Sequence, residues 1–262
     1  MTRPVPWLMY HEVLSAGRSP ARPGAGYARY VIDDATFREH VETIRAAGAT
    51  GVSATVALRA NDLPARPIAL TFDDGCESDL VVAAPVLRDA GFGATFFVTV
   101  GHLDTPGFMT RRQLRELADA GFEIGSHGMT HAYLSDLDET DVRAELADSR
   151  SVLEDVVGRP VLHFSCPGGR WSRSVADIAR EAGYTSVCVS RPVSNAAGSD
   201  HFRLGRLAIT SAVTPGLIGR IARDGTIPAA PLREAVLGLT KKLLGNRLYD
   251  RARRLILEHG AE

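Results

Sequence analysis

Two adjacent carboxylates, Asp73 and Asp74, follow the apolar run Ile68-Ala69-Leu70-Thr71-Phe72 and precede Gly75. The run reads as a buried strand, and groups at the carboxyl end of a strand face the pocket in α/β proteins. Two acids side by side repel each other, and a cation is the usual offset. Further on, Ser126-His127-Gly128-Met129-Thr130-His131 carries two histidines four residues apart. That spacing can set both on one face of a helical turn and is common among metal ligands. One aspartate and two histidines make three protein ligands and leave a position open, which suits a catalytic metal better than a structural one. Alone, the acids would read as a turn or helix cap and the histidines as a polar loop.

Taken together, these residues resemble the polysaccharide deacetylase family, the NodB-homology carbohydrate esterases of the family 4 type. Thr71-Phe72-Asp73-Asp74-Gly75 is similar to its first motif and Ser126-His127 with His131 to its second. Leu8-Met9-Tyr10-His11 is similar to an early-strand signature of many members, and the likeness runs over roughly residues 5 to 212. The resemblance implies that Asp73 is the general base and that Asp74, His127 and His131 hold a divalent metal. Zinc (Zn2+) is the first expectation, with Co2+, Mn2+ or Ni2+ as alternatives, because an oxygen/nitrogen site accepts several ions.

Two family motifs are altered. The third, Arg-x-Pro-x-Gly, reads here Ser165-Cys166-Pro167-Gly168-Gly169. Ser165 stands where the family has an arginine that contacts the base and holds it ionised. The metal, or Arg170 from five residues later, is expected to serve instead. Pro167, Gly168 and Gly169 fit a tight rim loop, and with Arg170 and Trp171 they are the candidate substrate contacts, Trp171 as a sugar-stacking platform. The fifth motif, Leu-x-His, supplies the family's general acid; its best match here is Leu204-Gly205-Arg206. An arginine stays protonated and cannot exchange a proton in that way. Arg206 is therefore expected to stabilise an oxyanion or bind an anionic substrate group, and His11, at the end of the first strand, becomes the candidate acid.

The resemblance implies a metal-dependent hydrolase that removes an acetyl group from an N-acetylated sugar. The expected partners are an acetylated saccharide, a nucleotide sugar or a lipid-linked sugar. An O-acetyl esterase is a close variant. A non-catalytic metal- or carbohydrate-binding homologue is the reading from a different class, suggested by the two altered motifs. Iron oxygenase chemistry also fits two histidines and one carboxylate, but the αβ pattern disfavours it.

The elements that must position these groups are legible as a repeat. Ala47-Gly48, Ala90-Gly91, Ala120-Gly121 and Ala182-Gly183 each close a helix-like segment, and each is followed by a β-prone run. Glycine just past a helix end adopts the left-handed conformation that terminates it. Four such joints predict repeated αβ units and a largely parallel sheet. Strands are expected over 5–10, 68–72, 94–100, 123–126, 161–165, 185–190 and 207–209, with helices over about 80–89, 111–120, 139–157 and 173–182. Asp33 or Asp34 caps a further helix whose Phe37, Val41 and Ile44 share one face. Thr110 and Gln113 fit a capping box. Residues 15–27, rich in Gly, Pro, Ala and Arg, read as a surface loop. No Gly-x-Gly-x-x-Gly follows a strand, which disfavours a dinucleotide fold. The resemblance implies the fold class adopted here: α/β, a distorted, incomplete (β/α)7 barrel of the NodB-homology type with a C-terminal amphipathic helical tail. The barrel domain is assigned to residues 1–228. The tail, 229–262, alternates leucines with Lys and Arg and would pack on the barrel or dock on an anionic membrane or a partner protein.

At 262 residues the chain suits one large domain, and 45% hydrophobic residues suffice for its core. A net charge of -1 offers no case for nucleic acid. The three cysteines, Cys76, Cys166 and Cys188, cannot all pair within the chain and read as free thiols. Neither a signal peptide nor a membrane-spanning run is visible, so a cytoplasmic location is expected.

Overall fold

The structure, a computed structural model, describes residues 3–59 and 62–228; the tail assigned to 229–262 lies outside the described residues. The chain opens on β1 (Trp7–Tyr10). Strands β2 (Glu12–Leu14) and β3 (Val31–Asp33) pair in a separate parallel ribbon, with the single turn α1 (Ala25–Ala28) between them. Helix α2 (Asp34–Ala46) is capped by Asp33, whose carboxylate accepts from the Thr36 N–H, and it buries Phe37, Val41 and Ile44. Then come β4 (Thr50–Val52), the short α3 (Ala54–Ala57) and the long β5 (Pro67–Asp74). A π-helical turn, Asp79–Ala83, leads into α4 (Ala84–Asp89). An unbroken helix was expected over 80–89. Pro85 has no N–H to close the preceding α-turn, which accounts for the widened one.

Strand β6 (Thr95–Val98), helix α5 (Arg111–Asp119) and strand β7 (Glu123–Ser126) follow, α5 starting on the Thr110/Gln113 capping box. After them come α6 (Glu139–Val157), β8 (His163–Ser165), α7 (Arg173–Glu181) and β9 (Ser186–Val189). The chain then runs through β10 (Leu204–Gly205), β11 (Leu207–Ala208) and α8 (Pro215–Asp224). Gly48, Gly91, Gly121 and Gly183 all have left-handed φ, between 69° and 94°. The four helix–glycine–strand joints therefore form as expected.

Nine strands make one parallel sheet in the order β10-β9-β8-β7-β6-β5-β1-β11, with β4 also on β5. It is the expected incomplete, distorted (β/α) barrel. Its two ends are joined through the chain itself, because β10 pairs with β9 and β11 pairs with β1. Arg206, between β10 and β11, sits at the seam.

Strand side chains alternate between two buried layers. Tyr10, Phe72 and Phe96, in register across β1, β5 and β6, stack in succession at 5.2 and 4.6 Å and pack toward the helices. Trp7, Ala69, Phe97, Cys188 and Leu204 fill the second layer. Thr71 and Asp73 share the parity of Ala69 along β5, so they belong to that inner face.

The sheet register also places the site. Asp74 is opposite Val98, Val98 opposite Ser126, and Ser126 opposite Phe164. The carboxyl ends of β5, β7 and β8 thus lie at one level of the rim. At the other end a polar cluster closes the barrel. His163 lies 2.8 Å from both Thr55 Oγ1 and Ser186 Oγ, Glu123 accepts from the Thr55 N–H and from Thr95, and Thr95 accepts from the Ala54 N–H. The expectation that His163 is a core histidine holds. Among the described residues no helix is long and apolar enough to cross a membrane.

Candidate active site

Asp73 and Asp74 end β5, both 2% exposed. Strict alternation would send them to opposite faces. Asp74 breaks it with a left-handed backbone, φ 90°, a strained state for a residue with a Cβ. His131 is likewise left-handed, φ 64°. His127 follows β7 directly, and its Nδ1 lies 2.7 Å from the Ser165 carbonyl. That contact requires the N–H on Nδ1 and leaves the Nε2 lone pair facing Asp74.

The three expected ligands meet. Asp74 Oδ1 is 3.1 Å from His131 Nε2 and 3.6 Å from His127 Nε2, and one donor atom of each residue lies within 4.8 Å of the others. Asp74 Oδ1 is buried and has no hydrogen-bond partner among the described residues. An orphaned carboxylate oxygen facing two imidazole nitrogens fits a divalent cation of the zinc class. Burial alone would raise the Asp74 pKa, but His131, His11 and His127 more than offset it, so the carboxylate stays ionised. Burial lowers the His127 pKa to about 4, which leaves a neutral imidazole able to ligate.

Asp73 has a different environment. Arg206 Nη1 donates to its Oδ1 at 2.7 Å and Nη2 to its Oδ2 at 2.8 Å, while Ser165 Oγ donates to Oδ2 at 3.0 Å. Arg206 also donates to Thr71 Oγ1 and to Ser165 Oγ, and its guanidinium lies over the Phe97 ring. Burial raises the Asp73 pKa, but Arg206, His127 and His11 outweigh it and hold the carboxyl below its usual value.

This geometry corrects two expectations. Arg206 is fully buried with both Nη atoms on Asp73, so it holds that carboxylate and does not reach an oxyanion or a substrate anion. Arg170 does not stand in for the arginine absent at Ser165, because Arg206 fills that role from across the barrel seam. Arg170 instead lies over the Tyr133 ring at 4.2 Å and 3.9 Å from Asp136. The rim turn Pro167–Gly169 forms, and Gly168 is needed there: its φ is 61° and a Cβ would meet the Tyr133 ring at 2.6 Å. Trp171 is half-buried. Its Nε1 donates to the Phe202 carbonyl and Arg203 covers one ring face at 4.5 Å, so at most the other face could meet a sugar. His11 is half-buried, packs on Tyr30 at 4.6 Å, and has an Nδ1 without a partner among the described residues. Burial lowers its pKa against the pull of Asp74 and Asp73.

Three residues at the site carry no signal in the sequence. Glu145 of α6 accepts from the Met129 and Thr130 N–H groups and from Thr130 Oγ1, bracing the loop between the two histidines. Arg22, from the segment read as a surface loop, reaches within 3.5 Å of Asp74 Oδ1. Its Nη2 donates to His102 at 3.0 Å, a ring that burial and then Arg22 hold neutral, with a pKa of about 4.

A sequence profile of the family described as polysaccharide deacetylase matches residues 60–187. The Bacillus subtilis protein YxkH, itself a candidate polysaccharide deacetylase, is 26% identical over 218 residues, covering 82% of this chain and 73% of the relative. The peptidoglycan-N-acetylglucosamine deacetylase of Bacillus cereus is 33% identical over 121 residues, covering 46% of this chain and only 54% of the relative. The fold is similar to that of the Streptococcus pyogenes deacetylase PplD solved with acetate, with a TM-score of 0.72 at 24% identity, covering 82% of this chain and 96% of that one. Profile, relatives, fold and the ordered motifs at the β5 and β7 ends all support the polysaccharide deacetylase family.

Proposed function

We propose that this protein is a metal-dependent carbohydrate deacetylase that hydrolyses the acetamido group of an N-acetylated saccharide. The reading rests on one observation above all. The Asp73 carboxylate, held by Arg206, lies beside three side chains, Asp74, His127 and His131, that could together hold a divalent cation. The Bacillus cereus relative, named for deacetylating peptidoglycan N-acetylglucosamine, supports an amino sugar as the substrate class.

A divalent cation on Asp74, His127 and His131 would polarise the acetyl carbonyl and lower the pKa of water, to about 7 for zinc. The remaining work falls to side chains of this chain. Asp73 takes the proton of the attacking water as its oxygen bonds to the carbonyl carbon. Arg206 keeps Asp73 aligned and makes its protonated form a ready donor. His11, whose pKa burial lowers against the pull of Asp74 and Asp73 and whose Nδ1 has no partner among the described residues, relays that proton to the nitrogen as the C–N bond breaks. Acetate and a free amine result. Gly168, Gly169 and the Tyr133/Arg170 pair border the saccharide on the β8 side.

The test is acetate release from N- and O-acetylated sugars, nucleotide sugars and short oligosaccharides, with protein stripped of metal and reloaded with Zn2+ or Co2+. Metal-dependent acetate that disappears in Asp73→Asn supports the reading, and the best substrate separates amide from ester hydrolysis. A folded, metal-loaded protein that releases no acetate from any of them overturns it.

A further inference from the structure

Arg22 reaches the centre from a segment the reaction above does not use. Its Nη2 lies 3.5 Å from Asp74 Oδ1, the same oxygen that faces His127 and His131. The side chain is 25% exposed, so solvent reaches it, whereas Arg206 is sealed. The guanidinium is held from several sides. His102 accepts from Nη2, and the Tyr27 and Phe108 rings lie 5.5 and 5.3 Å away. The preceding residue is pinned as well: the Ala21 N–H donates to both oxygens of the buried Glu12. Gly107 packs so closely that a Cβ there would meet Ala21 at 2.8 Å. Arg18 adds an ion pair to Glu77 at 2.6 Å. The expected surface loop is a strap that delivers one cation to the metal site.

We propose that Arg22 is a catalytic residue of the deacetylation, donating an N–H to the acetyl oxygen as that oxygen gains negative charge. This rests on the deacetylase reading. With Arg206 paired to Asp73 and Arg22 3.5 Å from Asp74, two arginines face two carboxylates, so a divalent cation would leave the centre with net positive charge. A neutral acetamide gains little from that excess, whereas the tetrahedral state of amide hydrolysis carries a negative charge that would use it. The step balances without transfer from Arg22. Water oxygen bonds to the carbonyl carbon, its proton goes to Asp73, and the carbonyl π pair moves onto the acetyl oxygen beside Arg22. On collapse the C=O re-forms, the C–N pair leaves with nitrogen, and nitrogen takes the relayed proton. A fixed donor in this role needs no reorganisation, which is the part played by His102 and the strap.

The experiment compares wild type, Arg22→Ala and Arg22→Lys, all checked for folding by thermal melting. It measures kcat and KM for acetate release, zinc affinity by chelator competition, and acetate binding to the zinc-loaded protein by calorimetry. In Arg22→Ala the expected results are a kcat lower by about 10²–10³-fold, the loss typical of one oxyanion donor, and a KM within about threefold. Acetate should bind at least about 10-fold more weakly, in line with a lost charged hydrogen bond. Zinc should bind as tightly or more tightly, because a cation competing for Asp74 is gone. Arg22→Lys recovers part of kcat and decides the matter if the alanine variant does not fold. A kcat of the variants within threefold of wild type overturns the proposal. So does a rate loss fully restored by saturating zinc, which would make Arg22 a strut for the ligand set. If wild type itself releases no acetate, the deacetylase reading fails separately. Acetate binding then still decides Arg22: unchanged affinity in the variants overturns its anion-binding role, and weakened affinity supports it.

Discussion

Arg206 and Asp73 form a two-pronged ion pair, at 2.7 and 2.8 Å, inside the barrel seam, 133 residues apart in the chain and both out of solvent. The pair sits where the sheet ends meet and holds the Asp73 carboxyl below its usual pKa. Because Arg206 joins β10 to β11, the residue that holds Asp73 is also the one at which the barrel ends meet.

Removing Arg206 strands a buried carboxylate. Arg206→Ala should lose about 3–5 kcal/mol of stability, the range for breaking a buried pair from one side, measured by urea denaturation at pH 7. Arg206→Lys keeps a charge but loses the fork. With less help holding Asp73 ionised, the acid limb of kcat/KM should move to higher pH. The stability term has the same sign. The folded Asp73 pKa is depressed, so its contribution is present above the unfolded value of about 3.9 and is lost as pH falls through the folded one. An acid limb that does not move in Arg206→Lys would separate Arg206 from the base.

His127→Ala should abolish stoichiometric metal binding with the fold retained. The ring is buried, but its Nδ1 contact is to the Ser165 carbonyl rather than to a charged partner. Metal content by elemental analysis, with thermal melting as the control, checks this. Full metal occupancy in the variant would remove His127 from the ligand set.

Glu145 is expected to act through the loop it braces. Three donors from Met129 and Thr130, the two residues that precede the left-handed His131, converge on its carboxylate. Glu145→Ala should weaken metal affinity by about 10–100-fold, as lost supports of metal ligands do. A chelator competition series measures it. Unchanged affinity would mean that the loop holds its shape without the carboxylate.

The far end of the barrel should respond to acid. Burial raises the Glu123 pKa, but hydrogen bonds from His163, Thr55 and Thr95 overcome it and bring the group from 4.5 to about 2. A depressed folded pKa means stability present above about 4.5 and lost as pH falls through about 2. Glu123→Gln should therefore lose up to about 3 kcal/mol at pH 7, and the difference from wild type should shrink between those values. Denaturation midpoints across that range would expose a gap that stays constant, which would mean that shape rather than charge carries the effect.

The local parts of this molecule were written in contiguous residues. Thr71-Phe72-Asp73-Asp74-Gly75 and the His127/His131 pair each occupy a few positions. A strand end and a loop suffice to place them on one rim once the strands are parallel. The four Ala-Gly joints were legible for the same reason, because a helix stop depends on one residue's backbone freedom. The amphipathic face of α2 and the Thr110 capping box follow from spacing alone.

What only the tertiary structure decided is which cation serves which acid. The sequence offered the metal, or Arg170 five residues past Ser165, as the cation for Asp73. The barrel seam instead brings Arg206 to Asp73, and the strap brings Arg22 to Asp74. Spacing along the chain says nothing about such pairs, because they form across sheet edges and between loops whose separation is set by closure. The pairing of buried charges is a property of the folded interior, where desolvation makes each carboxylate take whichever cation the packing delivers.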